Sequence, residues 1–101
     1  MISVRYEADD DRFISLEVSG HADFGEYGKD LICASVSSIM FGFLNALDEL
    51  SEDVEIEQKE NSIRVANGSD SKVVNDYLKL VLMQLKTIEV SYGDFIKVER
   101  K

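Results

Sequence analysis

His21 and Cys33 are the only histidine and the only cysteine in 101 residues, and eleven residues separate them. A thiolate is the nucleophile in cysteine chemistry, and a neighbouring imidazole is the group that usually generates it. The stretch that contains them, Gly20 to Ser38, also carries three of the six glycines: Gly20, Gly25 and Gly28. Residue types alone leave two readings open. In one, His21 takes the proton of Cys33 and the sulfur attacks an electrophile. In the other, Cys33 is a small core hydrophobe and His21 an ordinary loop residue.

Positioning two such side chains takes elements on both sides of the glycine-bearing connection. Ile2, Val4 and Tyr6 alternate with Ser3, Arg5 and Glu7, the period of a half-buried strand. Ile14, Leu16 and Val18 alternate again after the polar turn from Ala8 to Arg12, so the two runs predict a hairpin that ends at Gly20-His21. Beyond the loop, Val36, Ile39, Met40, Phe43, Leu44, Leu47 and Leu50 recur at three- and four-residue steps and predict an amphipathic helix. Asp30 is a candidate N-cap, which puts Cys33 in the first turn beside unpaired amides that favour a thiolate. Against this, Cys33 precedes Val36 by three residues and Met40 by seven, on the apolar stripe, where burial favours the neutral thiol. Gly25 and Gly28 are costly to fix, so the loop between base and nucleophile is expected to move until a ligand orders it.

Val54 with Ile56 and Ile63 with Val65 predict a second pair of short strands around the polar turn from Glu57 to Ser62. Asn67 to Asp70 is a loop that ends in a cap candidate, Asp70. A second helix runs from about Ser71 to Ser91, with Val74, Tyr77, Leu78, Val81, Leu85 and Ile88 on one face. Leu80, Leu82 and Met83 widen its apolar surface, which fits a deeply buried helix or a contact with a second copy in a homodimer. Phe95 or Ile96, with Val98, closes the chain in a last strand. The fold class is therefore α+β in the order β-β-α-β-β-α-β, a mostly antiparallel sheet with two helices packed against it, as one domain over residues 1–101.

Twenty acidic against eleven basic residues give a net charge of −9. Such a surface repels phosphate backbones and attracts basic peptides, so direct nucleic-acid binding is not expected. One cysteine makes no internal disulfide, and neither CxxC nor a His–Cys cluster offers zinc spacing, so the reading calls for no metal or other cofactor. The reducing cytoplasm is the expected compartment. The start, Met1 to Tyr6, has neither a basic nor an apolar leader region, and no apolar run approaches the ~18 residues of a membrane span.

Gly20-His21-Ala22, a short glycine-containing loop, and then Gly28-x-Asp30-Leu31-Ile32-Cys33-Ala34-x-Val36-Ser37 resembles the signature of the ribosomal-processing cysteine proteases of Firmicutes and related bacteria. The likeness extends over the whole chain, in length and in element order. It implies a cysteine endopeptidase that removes the N-terminal extension of a large-subunit ribosomal protein, the one numbered twenty-seven, so the partner is a basic ribosomal protein precursor. It also implies that Cys33 is the nucleophile and His21 the base, with Gly20 kept small so that no side chain obstructs the peptide. Asp30 and Ser37 match positions of the signature: Asp30 either orients His21 or caps the helix, and Ser37 either serves the sulfur or bonds a carbonyl within the helix. Ser35 departs from the signature, standing where Ala or Gly is usual. The amides of Cys33 and Ala34 are the expected oxyanion donors. Without the resemblance, two other classes fit the residues: an acidic, non-catalytic assembly factor that docks a basic ribosomal protein, and a peptide-thiol transferase.

Overall fold

The structure is a computed structural model that describes residues 1–20, 29–50 and 52–101, with the backbone but not the side chains of Lys29 and Asp30. In chain order the elements are β1 (Ile2–Asp9), β2 (Arg12–Ser19), α1 (Lys29–Glu49), β3 (Glu55–Lys59), β4 (Ser62–Ala66), α2 (Lys72–Tyr92) and β5 (Ile96–Arg100). The strands form one sheet in the order β3-β4-β2-β1-β5. Every pairing is antiparallel except β5 on β1, which is parallel. The α+β class, the element order and the mostly antiparallel sheet agree with the sequence reading.

Register explains why both helices share one face. Val4 pairs with Val18 and with Val98, Val18 with Ile63, and Leu16 with Val65. Strand alternation therefore puts these residues on one side and Arg5, Glu17, Arg64 and Glu99 on the other. The apolar side joins α1 and α2 in a single core, with Val4, Leu16, Met40, Val65, Val74, Leu78 and Leu85 almost fully buried. Each such side chain contributes roughly 1.5–3 kcal/mol by leaving water.

Three details differ from the sequence expectation. A bulge in the first hairpin sets Glu7 opposite Ser15 but Ala8 opposite Phe13, so Ile14 is the extra residue. Phe13 thereby takes the core side, where its ring lies 6.3 Å from that of Tyr6, while Asn75 on α2 accepts from the Phe13 amide at 2.6 Å. The cap of α2 is Ser71, whose side chain accepts from the Val74 amide, in place of Asp70. Asn67 selects this cap by accepting from the Ser71 amide and donating to the Ser71 carbonyl, while Asp70 takes a left-handed φ of 55°. In addition, α1 from Leu31 to Glu49 is long and apolar enough, at mean hydropathy 1.6, to cross a membrane. The expectation that no such stretch exists missed this because small and hydroxyl residues, not charges, separate its apolar positions. Ile32, Val36, Met40, Phe43 and Leu47 on this helix are buried in the core.

The apolar surplus of α2 divides. Leu82 is buried, whereas Leu80 and Met83 are exposed.

Candidate active site

β2 ends at Ser19 and hands the chain to Gly20, which has a φ of 97°. The Gly20 amide donates to the Asn61 carbonyl in the β3–β4 turn at 3.1 Å. A Cβ placed on Gly20 would run into the Met1 carbonyl oxygen. Positive φ and close backbone approach both demand glycine here. The reason lies inside the fold, where the start of β1 crowds the end of β2, and it needs no obstruction of a peptide.

Cys33 is half-buried, packs against the core, and is a free thiol. It lines a cleft of about 180 Å³ together with Gly20, Val36, Ser37, Phe41 and the tip of the β3–β4 hairpin from Gln58 to Ser62. The apolar side chains of Ile2, Val18 and Ile63, from three adjacent strands, also line the cleft. Strand pairing builds this arrangement: Ser62 pairs with both Ser19 and Lys59, so the turn comes to lie beside the exit of β2. The sequence gives Glu57–Ser62 only as a polar turn. Its role as a wall depends on the β2–β4 pairing, which no local signal announces. A larger hollow between α1 and α2 includes Ile39, Phe43, Tyr77 and Leu80 but not Cys33.

The start of α1 corrects two expectations. Lys29 and Asp30 are both helical, so Asp30 lies inside the helix and is not its cap, and Cys33 is four residues beyond Lys29. Only the first four amides of a helix lack a partner within it. The amides of Cys33 and Ala34 point back at the carbonyls of Lys29 and Asp30, so they are not free to hold an oxyanion. Ala34 is exposed and lies outside the cleft lining. Ser37 is exposed and lines the cleft. A bond back to a helix carbonyl, one of the two roles open to Ser37, is made by Ser35, whose hydroxyl donates to the Leu31 carbonyl at 2.9 Å. His21, Gly25, Gly28 and the side chain of Asp30 lie outside the described residues, as does the loop expected to move. Among the described residues no group of three or more His, Cys, Asp or Glu is arranged to hold a metal ion.

The geometry defines a small α+β protein with a free thiol, partly sheltered yet open to a cleft where a carbonyl could meet it. Comparison with known proteins makes it particular. The sequence model of the family described as cysteine protease Prp matches residues 1–97. The chain is 34% identical over 109 aligned residues to the ribosomal processing cysteine protease Prp of Staphylococcus aureus, covering all of both chains. It is 37% identical over 84 residues to the protein of the same name from Mycoplasma pneumoniae, covering 83% of this chain and 84% of that one. The crystal structure of the Staphylococcus aureus ribosomal processing protease, in complex with a covalently linked product peptide, superposes with a TM-score of 0.87 at 30% identity over the full length of both chains. The chain belongs to the cysteine protease Prp family and is a cysteine protease. The assembly-factor and transferase readings are set aside.

Proposed function

We propose that this protease removes the N-terminal extension of a basic large-subunit ribosomal protein, the one numbered twenty-seven, with Cys33 as nucleophile and His21 as its base. The observation that carries the reading is the cleft, which has Cys33 on the α1 wall and Gly20, the residue before His21, at its edge. The relatives' names point to ribosomal processing. The net charge of −9 suits a basic substrate, and the lone free thiol suits the reducing cytoplasm.

The chemistry runs in two halves. His21 takes the thiol proton, and the Cys33 sulfur adds to the scissile carbonyl carbon, giving a tetrahedral oxyanion. Collapse expels the amine, which takes a proton from His21, and leaves the substrate's acyl group on sulfur. Water, deprotonated by His21, then attacks the thioester and releases the carboxylate and the thiol. Stabilisation of the oxyanion falls to amides before Cys33 in the helix start, since those of Cys33 and Ala34 are spent in the ladder.

The test is direct. A synthetic peptide spanning the extension and the first mature residues is incubated with the protein, and the products are weighed by mass spectrometry. One cut is expected, and Cys33→Ala should abolish it while leaving the thermal melt within about 1 kcal/mol of the parent, because the residue is only half-buried. A Cys33→Ala protein that still cuts would remove the mechanism.

A further inference from the structure

Beyond Cys33 the cleft continues along α1. Cys33, Ser37 and Phe41 stand at positions i, i+4 and i+8 of α1, and all three line the cleft. They form one column on the helix surface, about 12 Å long at 1.5 Å of rise per residue. Phe41, at the far end, leaves 47% of its surface exposed.

An exposed aromatic means little alone, but the setting of this one is unusual. From Leu31 to Leu47 the helix carries no charged residue, in a chain that is 31% charged. A side chain laid on the Phe41 ring therefore meets no charge on α1, and a charged one would lose its water without gaining an ion-pair partner from that helix. The facing wall, the tip of the β3–β4 hairpin from Gln58 to Ser62, lies across the same cleft.

We propose that Phe41 determines specificity: its ring receives an apolar side chain of the substrate, three or four residues from the bond that Cys33 attacks. An extended peptide advances about 3.3–3.6 Å per residue, so the column of about 12 Å spans that many residues. The inference rests on proteolysis by Cys33, as in the proposed function, but not on the identity of the ribosomal substrate.

The experiment uses the full chain and a library of peptides. Starting from a peptide that is cut, each apolar residue within five of the scissile bond is replaced singly by Ala, and kcat/KM is measured for the parent protein, Phe41→Ala and Phe41→Tyr. With the parent protein, replacement at one position three or four residues from the cut should lower kcat/KM by ~10-fold or more, the scale of a filled apolar pocket. In Phe41→Ala that position should become indifferent while the others keep their effects, with KM raised and kcat within about twofold, the pattern of lost uniform binding. Phe41→Tyr should retain the preference. A Phe41→Ala protein with the parent's positional preferences, or with a loss spread evenly over all positions, overturns the proposal. If the parent protein cuts library peptides but not the ribosomal extension, the ribosomal reading fails and this test still decides. If it cuts no peptide at all, both fail.

Discussion

At Gly20 two constraints meet that no other residue type satisfies together. Its φ of 97° is open to glycine at little cost, and the Met1 carbonyl occupies the place of a Cβ. Gly20→Ala should destabilise the fold by about 1–3 kcal/mol, the range for a residue forced into a sparsely populated conformation, and lower Tm by on the order of 10 °C in a domain of this size. If the glycine served only to clear a path for the peptide, Gly20→Ala would melt like the parent and lose activity alone. Calorimetry beside a cleavage assay separates the two. The sequence marks Gly20 as special because it precedes the lone histidine, yet the cause lies in Met1, nineteen positions earlier in the chain. Cys33 was legible in a different degree. Its type and its helix were plain, whereas its depth in that helix turned on where the first turn begins, and neighbouring polar residues give nearly equal signals there.

Among the elements, α2 shows the same limit and allows a second measurement. Asp70 and Ser71 are both good cap residues, and their order alone does not choose between them. The choice is made by Asn67, whose amide group embraces both backbone polar atoms of Ser71. Ser71→Ala should therefore cost about 1 kcal/mol, the usual value of a cap. It should appear as a lower urea midpoint with an unchanged slope. A loss below about 0.3 kcal/mol would mean that water replaces the hydroxyl without penalty. The apolar faces of both helices were legible because a period of 3.6 is written along one contiguous segment. The bulge at Ile14 was not, because it exists only against a partner strand, and it exchanges which of Phe13 and Ile14 meets the core. The cleft wall at Gln58–Ser62 escaped for a related reason: it is brought to Cys33 by pairing across β2 and β4, not by anything local.

For the molecule as a whole, charge is the property that reaches furthest. Among the described residues, exposed acids include Asp9, Asp10 and Asp11 at the β1–β2 turn, and a second group of Asp48, Glu49, Glu52, Asp53, Glu55, Glu57 and Glu60 from the end of α1 to just beyond β3. Only the second group touches the cleft, through Glu60, and Lys59, which also lines it, is engaged by Glu57 at 3.1 Å. Single exposed pairs of this kind contribute little to stability. Their summed field acts instead on a basic peptide approaching from solvent, and it acts on the rate of encounter. Screening shortens the reach of that field from about 30 Å at 0.01 M salt to about 10 Å at 0.1 M and 3 Å at 1 M. The kcat/KM of a basic peptide should therefore fall as salt rises from ~0.05 to ~0.5 M, mainly through KM, with kcat nearly constant. Position should matter as well as sum. Neutralising Glu55, Glu57 and Glu60 to Gln should flatten the salt dependence markedly, because these charges lie on the strand and turn beside the cleft. Neutralising Asp9, Asp10 and Asp11 to Asn removes as much charge but should leave most of the slope in place. Equal flattening by the two triple variants would show that only net charge counts, and a parent protein indifferent to salt would rule out steering by either group.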